Sequence, residues 1–303
     1  MDIQSKIILI AGPTASGKSS FAIKLAKKIN GEIINADSMQ VYTQLKILTA
    51  RPKKEDQKNI KHHLYGFQNV TKKFSTGIWL KLVNKKINEI KKRNKTPILV
   101  GGTGLYFKSL TDGLVKIPNI PTKFRNEVRL LQKKLGQKKF YLKLIKIDPL
   151  IKNKININDV QRSIRAYEIK QHTKISMIKW FENTKVLFDT NNFIKLYIEF
   201  PRLELLDKIR KRVEKMFAQG AIVEVKKFNR LNINKDNTAN KVIGIYEIGK
   251  YLNGELNLDE TKKRICIKSR QYAKRQTTWS RGHMLSWQKI HPNNLASLIK
   301  KFK

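Results

Sequence analysis

The chain has 303 residues, 40% of them hydrophobic; this suffices for one large or two smaller domains with sizeable cores and excludes a disordered or fibrous protein. Against 23 Asp and Glu stand 64 Lys and Arg, a formal net charge of +41 that suits a polyanion, nucleic acid or anionic membrane, because neutralised phosphates release counterions; a composition rich in Lys, Asn and Ile equally fits a coding bias that leaves most lysines solvated. The single cysteine, Cys266, excludes an intramolecular disulfide and a cysteine-rich metal site, and no stretch reaches the ~20 apolar residues of a membrane-spanning helix, so a soluble, monomeric protein of the cytoplasm is expected.

In chain order, Lys6 to Ala11 is a short aliphatic run that reads as a buried strand. From Lys18 to Ile29 the apolar residues Phe21, Ala22, Leu25, Ala26 and Ile29 form a helical stripe closed by Asn30-Gly31. Glu32 to Asp37 and Pro97 to Val100 read as further strands, with a helix over Ile78 to Lys92 between them. Strands alternating with helices imply an α/β fold with a parallel sheet. Residues 115–190 turn to long, Lys-rich helical periodicity (Phe124, Val128, Leu131, Leu135), which predicts a helical insertion between two parts of a core, 1–114 and 191–303. Ile194 to Phe200 returns to a strand ended by Pro201. Beyond Arg202 the pattern is mostly helical, broken at Gly220, Gly244 and Asn253-Gly254.

Between the first strand and the first helix lies Gly12-Pro13-Thr14-Ala15-Ser16-Gly17-Lys18-Ser19, which satisfies the phosphate-loop pattern of ATP-binding proteins. Its glycines let backbone N–H groups converge on an anion, the helix dipole adds positive charge, Lys18 bridges phosphates and Ser19 can ligate Mg²⁺. A motor ATPase also needs an acid at the end of a neighbouring strand. The strand ending at Val100 runs instead into Gly101-Gly102-Thr103-Gly104, without a carboxylate. The carboxylate that does follow a strand is Asp37. In an open parallel sheet the carboxyl ends of the strands face the ligand crevice, so Asp37 and Thr103 should approach the loop. From position alone Asp37 is a general base, a helix cap or a Mg²⁺ ligand.

Three arginine groups stand out against the lysine background. Arg270, Lys274, Thr278 and Arg281 share one helical face, with Gln271 and Arg275 beside them and Tyr272 and Trp279 interleaved. Arg162 and Arg165 lie one helical turn apart after Asp159, and Arg202 precedes Arg210-Lys211-Arg212. Each reads either as a phosphate-binding or base-stacking surface or as a solvated basic face. His62-His63 points to packing or hydrogen bonding rather than metal, because successive side chains diverge and no third ligand is evident.

Gly12 to Ser19, Asp37-Ser38-Met39-Gln40-Val41-Tyr42, Val100 to Tyr106, Asn158-Asp159-x-Gln161-Arg162 and Arg270-Gln271-Tyr272-Ala273-Lys274-Arg275-Gln276-x-x-Trp279, taken in order, resemble the bacterial tRNA dimethylallyltransferase (tRNA isopentenyltransferase) family over nearly the whole chain. The resemblance implies a P-loop NTPase-like parallel sheet flanked by helices, with a helical insertion domain that contacts tRNA. It implies transfer of a dimethylallyl group from dimethylallyl diphosphate to N6 of the adenosine immediately 3′ of the anticodon, giving N6-isopentenyladenosine. The loop, Gly12 to Ser19, then holds the donor diphosphate rather than ATP, with Thr14 and Arg212 as catalytic partners, Ser19 near Mg²⁺ and Asp37 as the base. A nucleotide stacked in an anticodon loop must be flipped out to reach such a base, at a cost of a few kcal/mol.

By the same resemblance Asp37, Ser38, Met39, Gln40, Thr103, Arg125, Gln161, Arg162, Ser163, Ile164 and Arg165 meet the tRNA anticodon stem-loop; the match over Lys241 to Tyr246 is weaker. The chain departs from the family at Leu48, where a glycine is common and whose loss implies a stiffer loop. It departs also at Arg51, Ile157 and Ser269, where lysine, proline and threonine are usual. Two other readings stay open: an ATP-dependent small-molecule kinase with Asp37 as base, and a non-catalytic RNA-binding protein with a relic loop.

Overall fold

Short aliphatic runs form the sheet of the larger unit, and a computed structural model of the protein describes residues 5–57, 59–234 and 236–302. Strand β1 (Ile7–Ala11) is buried at all five positions and leads through the loop into helix α1 (Lys18–Lys28). There follow β2 (Gly31–Asn35), β3 (His62–His63), α2 (Thr76–Lys91), β4 (Thr96–Gly101) and α3 (Gly104–Thr111). Three helices come next: α4 (Thr122–Ile147), α5 (Val160–Thr173) and α6 (Met177–Glu182). The chain then returns through β5 (Phe193–Ile198), α7 (Arg202–Ala218), α8 (Ala221–Asn229), α9 (Ile245–Leu252), α10 (Leu258–His283), β6 (Gln288–Ile290) and α11 (Leu295–Lys300).

The six strands form one parallel sheet in the order β3-β2-β4-β1-β5-β6. Such a sheet needs cover on both faces, which is why its central strands are apolar throughout instead of alternating. On one face Ile8, Ile10, Ile33, Ile98 and Val100 pack with Phe21, Leu25 and Ala26 of α1. Trp79 of α2 is fully buried, donates its indole N–H to the Asn35 carbonyl at 2.9 Å, and stacks on Tyr106 of α3 at 4.2 Å. Another core joins the segment around Val41, Tyr42 and Leu45 to α7, α8, α9 and α10 through Val213, Val225, Ile248 and Ile265.

Two strands extend the sheet beyond what the pattern reveals. The pair His62-His63 is the edge strand β3, and Gln288–Ile290 closes the other edge as β6. The second strand also ends earlier than its apolar run suggests, at Asn35, which puts Asp37 just beyond it.

The helical insertion is a separate unit spanning Asp112–Leu187, three residues earlier at each end than the periodicity indicates. Its core packs Phe140, Leu144, Ile151, Tyr167, Ile169 and Met177. Helix α4 is interrupted by non-helical backbone at Gly136 (φ 71°), a left-handed conformation that glycine adopts without steric cost. No helix among the described residues is long and apolar enough to cross a membrane.

Within the core unit, Glu32 of β2 is 1% exposed and bonds to His63 and Arg93, each at 2.7 Å, with Lys95 at 3.5 Å. His62 bonds instead to the Ile60 carbonyl at 2.8 Å, so both histidines act through hydrogen bonds. Burial alone would push the Glu32 carboxyl up, but the hydrogen bonds from Arg93 and His63, with their charge, hold it at about 2. A folded-state pKa below the unfolded one stabilises the protein above the unfolded value and ceases to do so as pH falls through the folded value. Glu32 should therefore contribute on the order of 3 kcal/mol at neutral pH, lost between about pH 5 and pH 2. In denaturant titrations across that range, Glu32→Gln is expected to be less stable than wild type at pH 7 and to converge on it in acid.

Candidate active site

The loop leaves β1 at Ala11, and Gly17, with φ 82°, turns it into α1. Lys18 folds back over the loop, its Nζ donating to the Pro13 carbonyl at 2.6 Å with Ser16 Oγ at 3.5 Å. Burial draws the Lys18 ammonium down to about 8; Asp37 opposes the shift and Arg212 adds to it. Arg212 reaches in from α7, and its Nη1 donates to Thr14 Oγ1 at 2.8 Å. Two cations thus converge on one short loop, an arrangement suited to an anion.

Asp37 sits two residues past β2, held by its neighbours. Its own N–H donates to Asn35 Oδ1 at 2.8 Å, while Asn35 Nδ2 donates to the Asp37 carbonyl at 2.9 Å. The carboxylate accepts the Met39 N–H on Oδ1 at 2.9 Å. Thr103 accepts the Ser38 N–H at 2.9 Å and donates to Ser38 Oγ at 3.2 Å. No helix starts at Asp37, so the carboxylate closes a turn and does not cap a helix.

The strand end that lacks an acid is occupied by α10. A Cβ on Gly101 would lie 2.0 Å from the Ala36 carbonyl oxygen, one on Gly102 2.1 Å from Gln276 Nε2, and one on Gly104 2.2 Å from the Trp279 ring. Gly101, against the Ala36 backbone, and Gly104, against the Trp279 ring, are thus required by close approach. Gln276 Oε1 accepts the Thr14 N–H at 2.8 Å and its Nε2 donates to the Gly102 carbonyl at 2.9 Å, tying the loop to the end of β4. Burial, together with Asp37, pushes the Tyr272 phenol well above its usual range. Sequence reasoning singled out Arg270, Lys274, Thr278 and Arg281, which do form an exposed face of α10. Tyr272, Gln276 and Trp279 instead turn toward the site, and their i, i+4, i+7 spacing was the available signal.

A cavity of about 480 Å³ joins these parts. Thr14 to Ser20, Asp37, Arg212 and Arg275 line one portion; Leu48, Val213, Met216, Val242, Ile243 and Ile265 give it an apolar wall. A second cavity of about 290 Å³ is mostly apolar and is lined by Ser38, Thr103, Leu105, Phe107, Tyr197 and Trp279. Met39, Tyr272, Arg275 and Gln276 border both.

Comparison with known proteins decides the family. Residues 40–283 match the model of the family described as IPP transferase. The chain belongs to that family. It is similar to the tRNA dimethylallyltransferase of Pelagibacter ubique, with 64% identity over all of this chain and 97% of that one. It is 45% identical to the tRNA dimethylallyltransferase of Rickettsia massiliae over 93% of this chain and 78% of the other. Among solved structures, the tRNA isopentenylpyrophosphate transferase of Bacillus halodurans superposes with a TM-score of 0.70 at 31% identity, covering 98% of this chain and 95% of that one. A eukaryotic dimethylallyltransferase acting on tRNA superposes at 0.82 with 28% identity, covering 96% of this chain and 75% of that one. The P-loop NTPase-like architecture expected from the sequence is the fold of this chain.

The loop after Tyr42 is fixed. The Glu224 carboxylate accepts the N–H groups of Lys46, Ile47 and Leu48 at 2.8 to 2.9 Å, and Leu48 is buried against Val213 and Ile265. Gln40, expected at the tRNA, donates its Nε2 to the Thr49 carbonyl at 2.9 Å and so holds the cavity wall. Arg51 donates to the Tyr42 carbonyl at 2.9 Å.

Within the insertion, the five residues from Gln161 to Arg165 divide. Gln161 and Arg162 are exposed, and Arg162 pairs with Asp159 at 3.2 Å. Ser163 and Ile164 turn inward, 0% and 8% exposed, Ser163 accepting from Gln137 Nε2 at 3.1 Å. Their side chains belong to the core of the insertion, because a helix cannot turn five consecutive side chains outward. Arg165 and Arg125 both meet Glu168, at 3.1 and 3.3 Å, and that carboxylate is 1% exposed. Glu168, which sequence reasoning passed over, thus anchors both arginines. Of the third arginine group, Arg212 reaches the loop while Arg210 and Lys211 pair with Asp207 at 3.3 and 2.8 Å.

Proposed function

We propose that the chain transfers a dimethylallyl group from dimethylallyl diphosphate to N6 of the adenosine immediately 3′ of the anticodon of a tRNA, releasing diphosphate. The observation that carries this reading is a single cavity with a cationic loop and a carboxylate on one side and an apolar wall on the other. A hydrocarbon diphosphate satisfies both portions; the polar ribose of ATP does not match the apolar one.

The N6–C1 bond forms as the C1–O bond to diphosphate breaks, and the N6 proton passes to Asp37. The adenine amine is a weak nucleophile because its lone pair is delocalised into the ring, so a carboxylate that takes the proton during attack lowers the barrier. Negative charge grows on the departing diphosphate, where Lys18, Arg212 and the Thr14 hydroxyl converge; donors aimed at developing charge act mainly on the transition state. Ser19 lines the cavity and offers the hard oxygen that Mg²⁺ prefers, so its hydroxyl would hold such an ion beside them. When bound, it would neutralise part of the diphosphate charge. The adenine would enter by the second cavity, bordered by Ser38, Met39 and Thr103.

Gln161, Arg162, Arg165 and Arg125 would meet the acceptor RNA from the insertion. Binding should weaken steeply with salt, and Arg162→Ala should lower the slope of log K against log salt by about 1; filter binding of tRNA across a salt series checks this. Digesting treated tRNA to nucleosides and locating the modified base tests the function itself. An isopentenyl group on N6 of the adenosine 3′ of the anticodon supports it. Unmodified tRNA, with ATP consumed on a small metabolite, would favour the kinase.

A further inference from the structure

We propose that Trp279 and His283 form a stacking platform for one unpaired RNA base, the neighbour of the adenosine that enters the second cavity. This rests on the tRNA acceptor proposed above. Trp279 lines that cavity, and its ring is seated against Gly104, where no side chain would fit. One helical turn further along α10, the His283 imidazole lies over the indole at 4.4 Å with the rings tilted by only 5°. His283 Nδ1 is 3.0 Å from the Trp279 carbonyl oxygen, a contact that fixes the ring.

A near-parallel aromatic pair thus begins inside the cavity wall and ends at an exposed residue. Aromatic faces accept any base and do so most readily with unpaired RNA. The same helix exposes Lys274, Arg275 and Arg281, cations suited to the phosphates that accompany a stacked base. That charge favours RNA over an apolar peptide as the occupant.

The test uses the full-length protein and an anticodon stem-loop RNA carrying 2-aminopurine on either side of the target adenosine, since stacking quenches this fluorophore. Wild type and His283→Phe, which keeps a flat ring, are expected to quench it at one of the two positions. His283→Ala should lose that quenching and bind about five-fold more weakly, with the salt slope unchanged, whereas Arg281→Ala should lower the slope. Equal quenching by His283→Ala and wild type, or quenching at neither position by a wild type that binds, would overturn the platform and leave the tRNA reading intact. A wild type that does not bind the stem-loop would remove the tRNA reading itself.

Discussion

Asp37→Ala is expected to lower transfer to tRNA by about 10²- to 10⁴-fold, the range for loss of a positioned base, while tRNA affinity is largely kept. Asp37 owes its position to backbone: Asn35 holds its N–H and carbonyl, and Met39 occupies Oδ1. Removing the carboxylate leaves that turn without one hydrogen bond but leaves Ser38 fixed to Thr103. Single-turnover transfer measured beside tRNA binding separates the roles, since a residue that only binds tRNA would change the second and not the first. An Asp37→Ala protein with wild-type turnover would remove the proposed base.

Arg212→Gln is the second large effect, an expected loss of about 10²- to 10³-fold in kcat with a smaller change in the donor KM. The side chain is half-buried and spends one donor on Thr14. Burial lowers its pKa and Asp37 opposes this, yet guanidinium stays charged under ordinary conditions. Glutamine retains a donor for Thr14 but no charge for a departing diphosphate. Equal losses in kcat/KM with kcat unchanged would show instead that Arg212 holds the donor equally in ground and transition states.

Much of this architecture is legible in the sequence because it rests on local rules. Ile7 to Ala11, the glycine loop and the stripe of α1 form a unit whose pattern is self-contained. The edge strands β3 and β6 are not, being two and three residues long with pairing dictated by β2 and β5. At the site, Lys18, Asp37 and Thr103 follow from the rule that strand ends face the crevice. Gln276 and Tyr272 do not, because their role depends on α10 docking on the turn after β4, which only the close approach at Gly102 and Gly104 reveals. Ser163 and Ile164 differ again: a motif carried over as a block does not show that their side chains turn inward beside the exposed Arg162. Their apolar and small side chains beside Arg162 and Arg165 already carried that alternation.

In the proposed reaction the loop grips a prenyl diphosphate, whose hydrocarbon passes to tRNA. The direct measurement is incubation of the protein with unmodified tRNA, Mg²⁺ and dimethylallyl diphosphate labelled in the hydrocarbon, with no ATP, following label in tRNA and diphosphate released. Label should enter the tRNA with one diphosphate freed for each group transferred. Absence of label from the tRNA, or transfer that occurs only when ATP is added, would contradict the account.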